Sequence, residues 1–245
     1  MIALLRVLVV IIPATIWYGA KIMWLARRRS PRLACLCEEI QRKWSRMVLR
    51  AAGVRVVIEN PEVIDPDRPQ ILVANHTSWF DVPALAGHLP GPYRFVAKQE
   101  LARVPFFGPA WRSCGHIGID RKDRAKAIES LAVAKRRLEE ERPTVILFAE
   151  GTRSRDGRLQ PFKKGAFVLA IQTGVEIVPA AIIGARDVMK KGSLLIHPGT
   201  IRIRFGEPVP VERLTMEDRN DLARRTREAV AALLESASLP EETIE

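Results

Sequence analysis

Three short apolar runs constrain the fold of this 245-residue chain more than any other feature of its sequence. They are QILVA at Gln70–Ala74, TVILFA at Thr144–Ala149 and IVPAAII at Ile177–Ile183, and polar residues or glycine follow each one at once. Uninterrupted apolar runs of this length are typical of strands buried inside a sheet. They predict a sheet covered by helices on both faces.

Further strands and helices alternate along the chain after residue 53, which predicts a single α/β domain with a mixed sheet. With 47% hydrophobic residues, the chain can form a full core. We therefore expect one domain over residues 53–245, preceded by a separate segment over residues 1–52. The other strands are predicted at Val54–Ile58, Arg94–Ala97 and Thr200–Phe205, and the helices at Trp79–Ala86, Arg121–Glu141, Gly165–Thr173 and Met216–Ser236.

The N-terminal segment is both the most apolar and the most basic part of the chain. As a helix, Ile2–Ala26 would be about 35 Å long, enough to touch both faces of a bilayer, although Pro13 predicts a kink or a break. Residues 1–50 carry a net charge of +8, which leaves only +3 of the total +11 for the remaining 195 residues. This distribution disfavours nucleic acid as the partner. We expect membrane attachment, as a span or within one leaflet; the alternatives are a helix packed on the protein's own core and a secretory signal.

A second helix is predicted after Pro31 and should end at Gly53. It has an apolar stripe opposite a basic face, so it could lie on a membrane or cover the core of the domain. The stripe consists of Leu33, Leu36, Ile40, Trp44, Met47 and Val48, and the basic face of Arg42, Lys43, Arg46 and Arg50. The cysteines Cys35, Cys37 and Cys114 have neither C-x-x-C nor zinc-site spacing, so we expect reduced thiols and no structural metal.

The run Gln70–Ala74 leads into His76, and Asp81 follows five residues later. Open α/β sheets bind ligands at the carboxyl ends of their strands, where a histidine oriented by a carboxylate can act as a base. Five residues of regular helix would place the two side chains on different faces, so they can meet only if His76 precedes the helix. Thr77 or Ser78 is the expected helix cap. The alternative is a core histidine and a surface aspartate.

The loop Glu150-Gly151-Thr152-Arg153 follows another apolar run and should lie at the same edge of the sheet. Gly151 permits a tight turn, and the loop is rich in cations that bind phosphate. These cations are Arg153, Arg155, Arg158, Lys163 and Lys164. A solvated charged loop is the alternative.

Arg121, at the end of GHIGIDR, and Lys98, at the end of the strand RFVAK, are further candidates for binding phosphate. His116 has no carboxylate at a useful spacing and is expected to be structural. The sequence lacks the motifs of serine hydrolases, P-loop NTPases, dinucleotide-binding folds and zinc proteases.

Four blocks, NHTSWFD, GHIGIDR, EGTRS and VPAAI around Pro179, resemble in order and separation those of the glycerolipid acyltransferases. Among these, the chain is most similar to the bacterial 1-acyl-sn-glycerol-3-phosphate acyltransferases. The resemblance spans Val54–Pro210, with Gly118 where many relatives have a bulky residue.

This resemblance implies that His76 is the general base and that Asp81 orients it. Glu150 and Gly151 would shape the site within the EGTR block, which also includes Thr152. Arg153 would bind the acceptor phosphate, with Arg121 and Lys98 assisting, and Pro179 would support the acyl donor or the structure.

The activity implied by the resemblance is transfer of a fatty acyl group from a thioester to the sn-2 hydroxyl of 1-acyl-glycerol 3-phosphate. The product would be phosphatidic acid for phospholipid biosynthesis. Membrane lipid, lysophosphatidic acid and acyl-CoA or acyl carrier protein are the expected partners, without a cofactor, at the cytoplasmic face of the bacterial inner membrane. Two alternatives stay open: an acyltransferase of this fold for glycerol 3-phosphate or another lysophospholipid, and a non-catalytic module that binds anionic lipid.

Overall fold

A computed structural model describes residues 2–120 and 123–236 of the chain. Within these residues, one sheet has seven strands in the order β1-β7-β6-β2-β5-β3-β4. Strands β2 to β6 are mutually parallel, whereas β7 is antiparallel to β6 and parallel to β1. The predicted mixed sheet is therefore confirmed. The strands are β1 (Val54–Glu59), β2 (Gln70–Ala74), β3 (Tyr93–Lys98), β4 (Ile117–Ile119), β5 (Thr144–Leu147), β6 (Ile177–Ile183) and β7 (Gly199–Phe205).

Helices cover both faces of this sheet. In β2, Leu72 and Ala74 belong to the core beneath α1, α2 and α3, whereas Ile71 and Val73 belong to the core beneath α5, α6 and α8. All five residues of β2 are buried, which explains the uninterrupted apolar run. The described helices are α1 (Ile2–Arg27), α2 (Leu33–Ala52), α3 (Asp81–His88), α4 (Phe107–Ser113), α5 (Arg124–Glu140), α6 (Gly165–Thr173), α7 (Ala185–Val188) and α8 (Arg219–Ser236).

Several predicted boundaries shift for local reasons. Helix α3 begins at Asp81, two residues later than predicted, because Trp79 and Phe80 belong to a turn in which the Ser78 hydroxyl accepts the Phe80 N–H at 3.2 Å. Strand β5 ends at Leu147, because the chain turns at Phe148. The predicted start of α5 at Arg121 lies outside the described residues. Strand β4 and helix α4 were not predicted, since three and seven residues are too few for a clear periodic pattern.

Helix α1 continues through Pro13 and is not split there. One stripe of it, with Val7, Ala14 and Ile22, is buried against the protein. The opposite face leaves large apolar side chains exposed, namely Leu5, Leu8, Val9, Ile12, Ile16, Trp17 and Trp24. Among the described helices, α1 alone has the length and composition to cross a membrane, a test that core helices and signal sequences also pass.

Helix α2 covers the core of the domain through Val48, Leu49 and Ala52. Gly53 ends the helix as predicted, with a φ of +70° that favours glycine. The Arg46 side chain of the basic face donates from Nε to the Gly87 carbonyl at 2.7 Å. The predicted amphipathic stripe therefore covers protein.

Cys37 of α2 and Cys114 at the end of α4 form a disulfide, so the expectation of reduced thiols is wrong for this pair. The two residues are 77 positions apart, and their Cα atoms lie 5.4 Å from each other. The packing of α2 and α4 around Ile22, Ile40 and Ala110 brings them together, and sequence spacing does not reveal this. Cys35 is exposed and free.

Candidate active site

His76 lies on the irregular turn between β2 and α3, and Asp81 is the first residue of α3. His76 Nδ1 is 2.7 Å from Asp81 Oδ2, which also accepts the N–H groups of Thr77 at 2.8 Å and Ser78 at 2.9 Å. Because Oδ2 accepts two backbone N–H groups, it is an oxygen without a proton and can only accept from His76. The proton of this hydrogen bond is therefore on Nδ1. The lone pair on Nε2 is then free to accept a proton from a ligand.

Burial differs sharply within this pair. The Asp81 side chain is 0% exposed and that of His76 is 15% exposed. Asp81 Oδ1 is buried without a hydrogen-bond partner in the described part of the chain.

The prediction that Thr77 or Ser78 caps helix α3 is wrong. The backbone N–H groups of Thr77 and Ser78 donate to Asp81, and the Ser78 hydroxyl donates to the Met189 carbonyl at 2.7 Å.

The loop after β5 holds the backbone of His76. Glu150 Oε1 accepts the His76 N–H at 2.6 Å, and the Ser154 N–H donates to the His76 carbonyl at 2.7 Å. Phe148 stacks on the imidazole with the ring centroids 4.0 Å apart. Because β2 and β5 are neighbours, the loops after them meet, as predicted.

Glu150 is itself buried, and desolvation raises the pKa of its carboxyl group. Its other oxygen, Oε2, accepts the Gln160 N–H at 3.0 Å. Both contacts use the carboxylate as an acceptor, so Glu150 binds backbone on each side of the site. Gly151 has a φ of +73°, a left-handed conformation that favours glycine in this turn.

The remaining predicted residues occupy different positions. Arg153 and Lys98 line the same cavity as His76, and Lys98 also pairs with Glu100 at 3.0 Å. Thr152 is exposed, and its hydroxyl accepts from Lys191 Nζ at 3.1 Å. Arg121 lies outside the described residues.

Pro179 is buried inside β6 and does not reach the cavity lining. Its carbonyl accepts the Gly206 N–H at 2.9 Å, one residue before β6 begins to pair with β7. Within the described residues, its contacts are those of a sheet residue.

Asn75 is a site residue to which sequence reasoning gave no role. Beyond the end of β2, its side chain donates to the Ile182 carbonyl at 2.9 Å and accepts the Ile182 N–H at 2.7 Å. It thereby continues the contact between β2 and β6 up to His76. The available signal in the sequence was an asparagine directly after an apolar run.

A largely apolar cavity of about 510 Å³ extends from His76 towards the N-terminal helices. Pockets of roughly 300–1,000 Å³ are usual for small-molecule ligands. Its walls come from α1, α2, α3, α4 and β3, so the N-terminal helices form part of the site. The apolar and aromatic side chains that line it include Tyr18, Ile22, Ile40, Trp44, Val96, Phe107, Trp111 and Phe148.

His116 contributes a polar group to the cavity wall, and its contacts fix its tautomer. Nδ1 accepts the Phe95 N–H at 3.0 Å, so Nε2 carries the proton and donates to Gln41 Oε1 at 2.9 Å. Burial lowers the pKa of this imidazole to about 3. Both ring nitrogens bind protein, which agrees with the predicted structural role.

A sequence model of the acyltransferase family matches residues 55–183, which include the His76 and Glu150 loops. The chain belongs to the acyltransferase family. The predicted family is thus confirmed, and the match ends with strand β6 of this acyltransferase.

Curated relatives extend the comparison. Human 1-acyl-sn-glycerol-3-phosphate acyltransferase alpha is 34% identical over 76% of this chain and 66% of its own length. The protein of that name from Limnanthes douglasii is 31% identical over 79% of this chain and 68% of its own length. An uncharacterized acyltransferase from Schizosaccharomyces pombe is 38% identical over 72% of this chain and 64% of its own length. The acyltransferase described here therefore spans about two thirds of the length of these relatives.

Among solved structures, the 1-acyl-sn-glycerophosphate (LPA) acyltransferase PlsC from Thermotoga maritima matches with a TM-score of 0.81. The match covers 97% of both chains at 26% identity. The likeness therefore includes the N-terminal helices as well as the sheet. Together with the exposed apolar face of α1, these relatives indicate that the acyltransferase is membrane-associated.

Proposed function

We propose that this acyltransferase moves a fatty acyl group from a thioester to the sn-2 hydroxyl of 1-acyl-glycerol 3-phosphate. The product is phosphatidic acid, an intermediate of phospholipid biosynthesis. The observation that carries the proposal is the pair His76–Asp81, 2.7 Å apart, beside an apolar cavity that Arg153 also lines. The activities for which the similar proteins are named support the choice of acceptor.

In the proposed reaction, His76 Nε2 takes the proton of the acceptor hydroxyl as the oxygen attacks the thioester carbonyl. The new C–O ester bond forms, the C–S bond breaks, and the imidazolium returns the proton to the leaving sulfur. Asp81 keeps Nδ1 protonated and stabilises the imidazolium while it exists. No acyl-enzyme is formed.

Arg153 binds the acceptor phosphate in this proposal, with Lys98 and Arg121 assisting. A guanidinium can bind phosphate through two parallel hydrogen bonds, which fixes the hydroxyl at a set distance from His76. Glu150, Gly151 and Thr152 shape this loop. Pro179 supports the sheet behind it.

The apolar cavity holds an acyl chain. Its lining of aromatic and aliphatic side chains suits hydrocarbon, and it begins at the histidine that must reach the thioester. Acyl-CoA or acyl carrier protein supplies that thioester as a co-substrate, without a bound cofactor. Among the described residues, no group of three or more His, Cys, Asp or Glu could hold a metal ion.

Membrane attachment gives the enzyme access to an acceptor that is dissolved in lipid. We place the protein on the cytoplasmic face of the bacterial inner membrane, with α1 lying in one leaflet. The packing of α1 supports a position within one leaflet, because Val7 and Ile22 near its two ends are both buried against the protein. The basic residues of the N-terminal segment add attraction to anionic headgroups, about 1 kcal/mol for each Lys or Arg near the surface.

The test uses the full-length chain, purified in lipid, with acyl-CoAs of graded length. Thiol release and product mass are measured with lysophosphatidic acid, with glycerol 3-phosphate, with another lysophospholipid, and without an acceptor. Acyl carrier protein replaces CoA in a parallel series. We expect thiol release that requires lysophosphatidic acid and disappears in a folded His76→Ala variant. Binding of phosphatidic acid without turnover would instead support a lipid-binding module and overturn the proposal.

A further inference from the structure

We propose that residues 190–195, here called the KKGSLL loop, form a second lipid-contacting element that is separate from α1. The loop lies between α7 and β7. It carries Lys190 and Lys191, followed by Leu194 and Leu195, which are 70% and 55% exposed. Part of the inference, the link to the acceptor site, rests on the function proposed above.

The exposure of the two leucines is built into the backbone. The Ser193 N–H donates to the Lys190 carbonyl at 3.1 Å, and the Ser193 hydroxyl accepts the Leu195 N–H at 3.0 Å. Gly192, with a φ of +85°, completes this turn. Ile196, the next residue, is buried in the core. The chain therefore holds adjacent leucines outward at a structured turn.

Contacts between neighbouring elements link the strand after this loop, through α2, to the N-terminal half of α1. Helices α1 and α2 form a hairpin in which Trp44 Nε1 donates to Thr15 Oγ1 at 2.9 Å. Antiparallel pairing then places the end of α2 opposite the start of α1. The end of α2 meets the strand that follows the loop, because the Gly199 N–H donates to the Gly53 carbonyl at 3.3 Å. Ile196, directly after the leucines, belongs to the same core as Val7 of α1, so the loop lies on the side of the sheet that α1 covers.

Charge and composition both favour a lipid surface as the partner. Single exposed leucines are common on soluble proteins, but adjacent leucines beside lysines combine apolar insertion with attraction to anionic headgroups. An acidic carrier protein would be attracted by the lysines, yet it gives no reason for two exposed leucines. We therefore assign this surface to anionic lipid.

The KKGSLL loop and Met189, the residue before it, contact the two loops of the proposed active site. Lys191 Nζ donates to the Arg153 carbonyl at 2.7 Å and to the Thr152 hydroxyl at 3.1 Å. On the other side, the Ser78 hydroxyl donates to the Met189 carbonyl at 2.7 Å. Lipid contact at Leu194 and Leu195 therefore brings the bilayer next to the residue proposed to bind the acceptor phosphate.

A fluorescence experiment tests the contact without requiring turnover. Leu194→Cys is made in a Cys35→Ser background, which leaves the Cys37–Cys114 disulfide as the only other cysteines, and is labelled with an environment-sensitive fluorophore. Vesicles of phosphatidylcholine, with and without phosphatidylglycerol, are added to the full-length protein. We expect a blue shift that is larger with phosphatidylglycerol, and quenching by lipids brominated on their acyl chains.

Ile128→Cys is the matched control, since Ile128 is 59% exposed but lies on α5. Trp17→Cys on α1 reports whether the protein binds the vesicles at all. A response at position 17 without one at position 194 would overturn the proposal. A response at position 194 to purified acyl carrier protein, and none to vesicles, would give the loop to that partner and also overturn it.

The second measurement is kinetic and uses the double variant Leu194→Ser/Leu195→Ser. We expect the apparent KM for lysophosphatidic acid in vesicles to rise about tenfold, the effect of about 1.4 kcal/mol of lost binding, while activity on a water-soluble short-chain acceptor is unchanged. Equal losses on both acceptors would point to a folding defect and contradict a lipid role. If the proposed function is wrong, neither the wild type nor the variant turns over lysophosphatidic acid. The fluorescence experiment still tests the lipid contact in that case, because it does not need turnover.

Discussion

The His76 backbone N–H donates to Glu150 Oε1 at 2.6 Å, joining the loops that follow two neighbouring strands. The second Glu150 oxygen accepts from the Gln160 backbone, and the Ser154 N–H returns a hydrogen bond to the His76 carbonyl. His76, the proposed base, is therefore held through its main chain by one loop and through its ring by Asp81. In the proposed mechanism, Glu150 affects catalysis through the position of His76.

Glu150→Gln should weaken both the fold and the rate. A glutamine accepts through only one of its two terminal atoms, so either the His76 or the Gln160 N–H would face an NH₂ group. We expect the free energy of unfolding to fall by about 1–3 kcal/mol, the usual cost of an unsatisfied buried group. We also expect kcat to fall with little change in KM. Denaturant titration and initial rates measure these effects, with the exposed Glu207→Gln as the control. If the variant keeps wild-type stability and kcat, Glu150 does not hold His76 in position.

Asp81→Asn separates orientation of the base from the architecture of the loop. The asparagine oxygen can still accept the Thr77 and Ser78 N–H groups, but the side chain no longer carries the charge that stabilises the imidazolium. We expect kcat to fall about 10²- to 10⁴-fold, the usual range for a general base that loses its function. Circular dichroism and a thermal melt check that the protein is folded. If kcat stays within a few-fold of wild type, His76 does not depend on Asp81.

Arg153→Ala tests how the acceptor is held. If the guanidinium binds phosphate, its loss should raise the apparent KM for lysophosphatidic acid by at least tenfold, because a hydrogen bond to a charged group contributes about 1.5–3 kcal/mol. The KM for the thioester should change far less. Arg158, another predicted phosphate-binding cation, is exposed, pairs with Asp156 and does not line the cavity, so Arg158→Ala is the control on the same loop. Equal effects on both substrates would remove Arg153 from this role.

The sequence predicted the parts of this protein that depend on local pattern. The buried strands Gln70–Ala74 and Ile177–Ile183 have the predicted bounds, since uninterrupted apolar runs bounded by turn residues leave little choice. The position of His76 and the Glu150 loop at one edge of the sheet was predicted because each follows a buried apolar run, although the strand order itself was not predicted. Long-range packing was not predictable: the Cys37–Cys114 disulfide and the cavity between α1, α2 and β3 depend on how the N-terminal hairpin docks.

Ala110→Leu tests whether the cavity holds an acyl chain. Ala110 lines the cavity on α4, so a larger side chain there shortens the space available to hydrocarbon. We expect kcat/KM to fall about tenfold or more for long-chain thioesters and to change little for short-chain ones. The fall corresponds to loss of two methylenes from the apolar site, at about 0.8 kcal/mol each. Ala132→Leu, on the exposed side of α5, is the control. A uniform loss at all chain lengths would separate the cavity from chain recognition.

His116 should make the fold sensitive to acid. Its Nδ1 accepts the Phe95 N–H, so the folded protein requires the neutral ring, and burial lowers its pKa from 6.5 to about 3. The unfolded chain binds a proton below about pH 6.5 and the folded chain does not until about pH 3, so stability falls as the pH drops through this window. The slope reaches about 1.4 kcal/mol per pH unit. Glutamine can accept from Phe95 and donate to Gln41 without titrating, so His116→Gln should lose less stability than wild type between about pH 7 and about pH 4.5. Denaturant unfolding at both pH values measures the difference, and an identical loss in the two proteins would exclude His116 as its source.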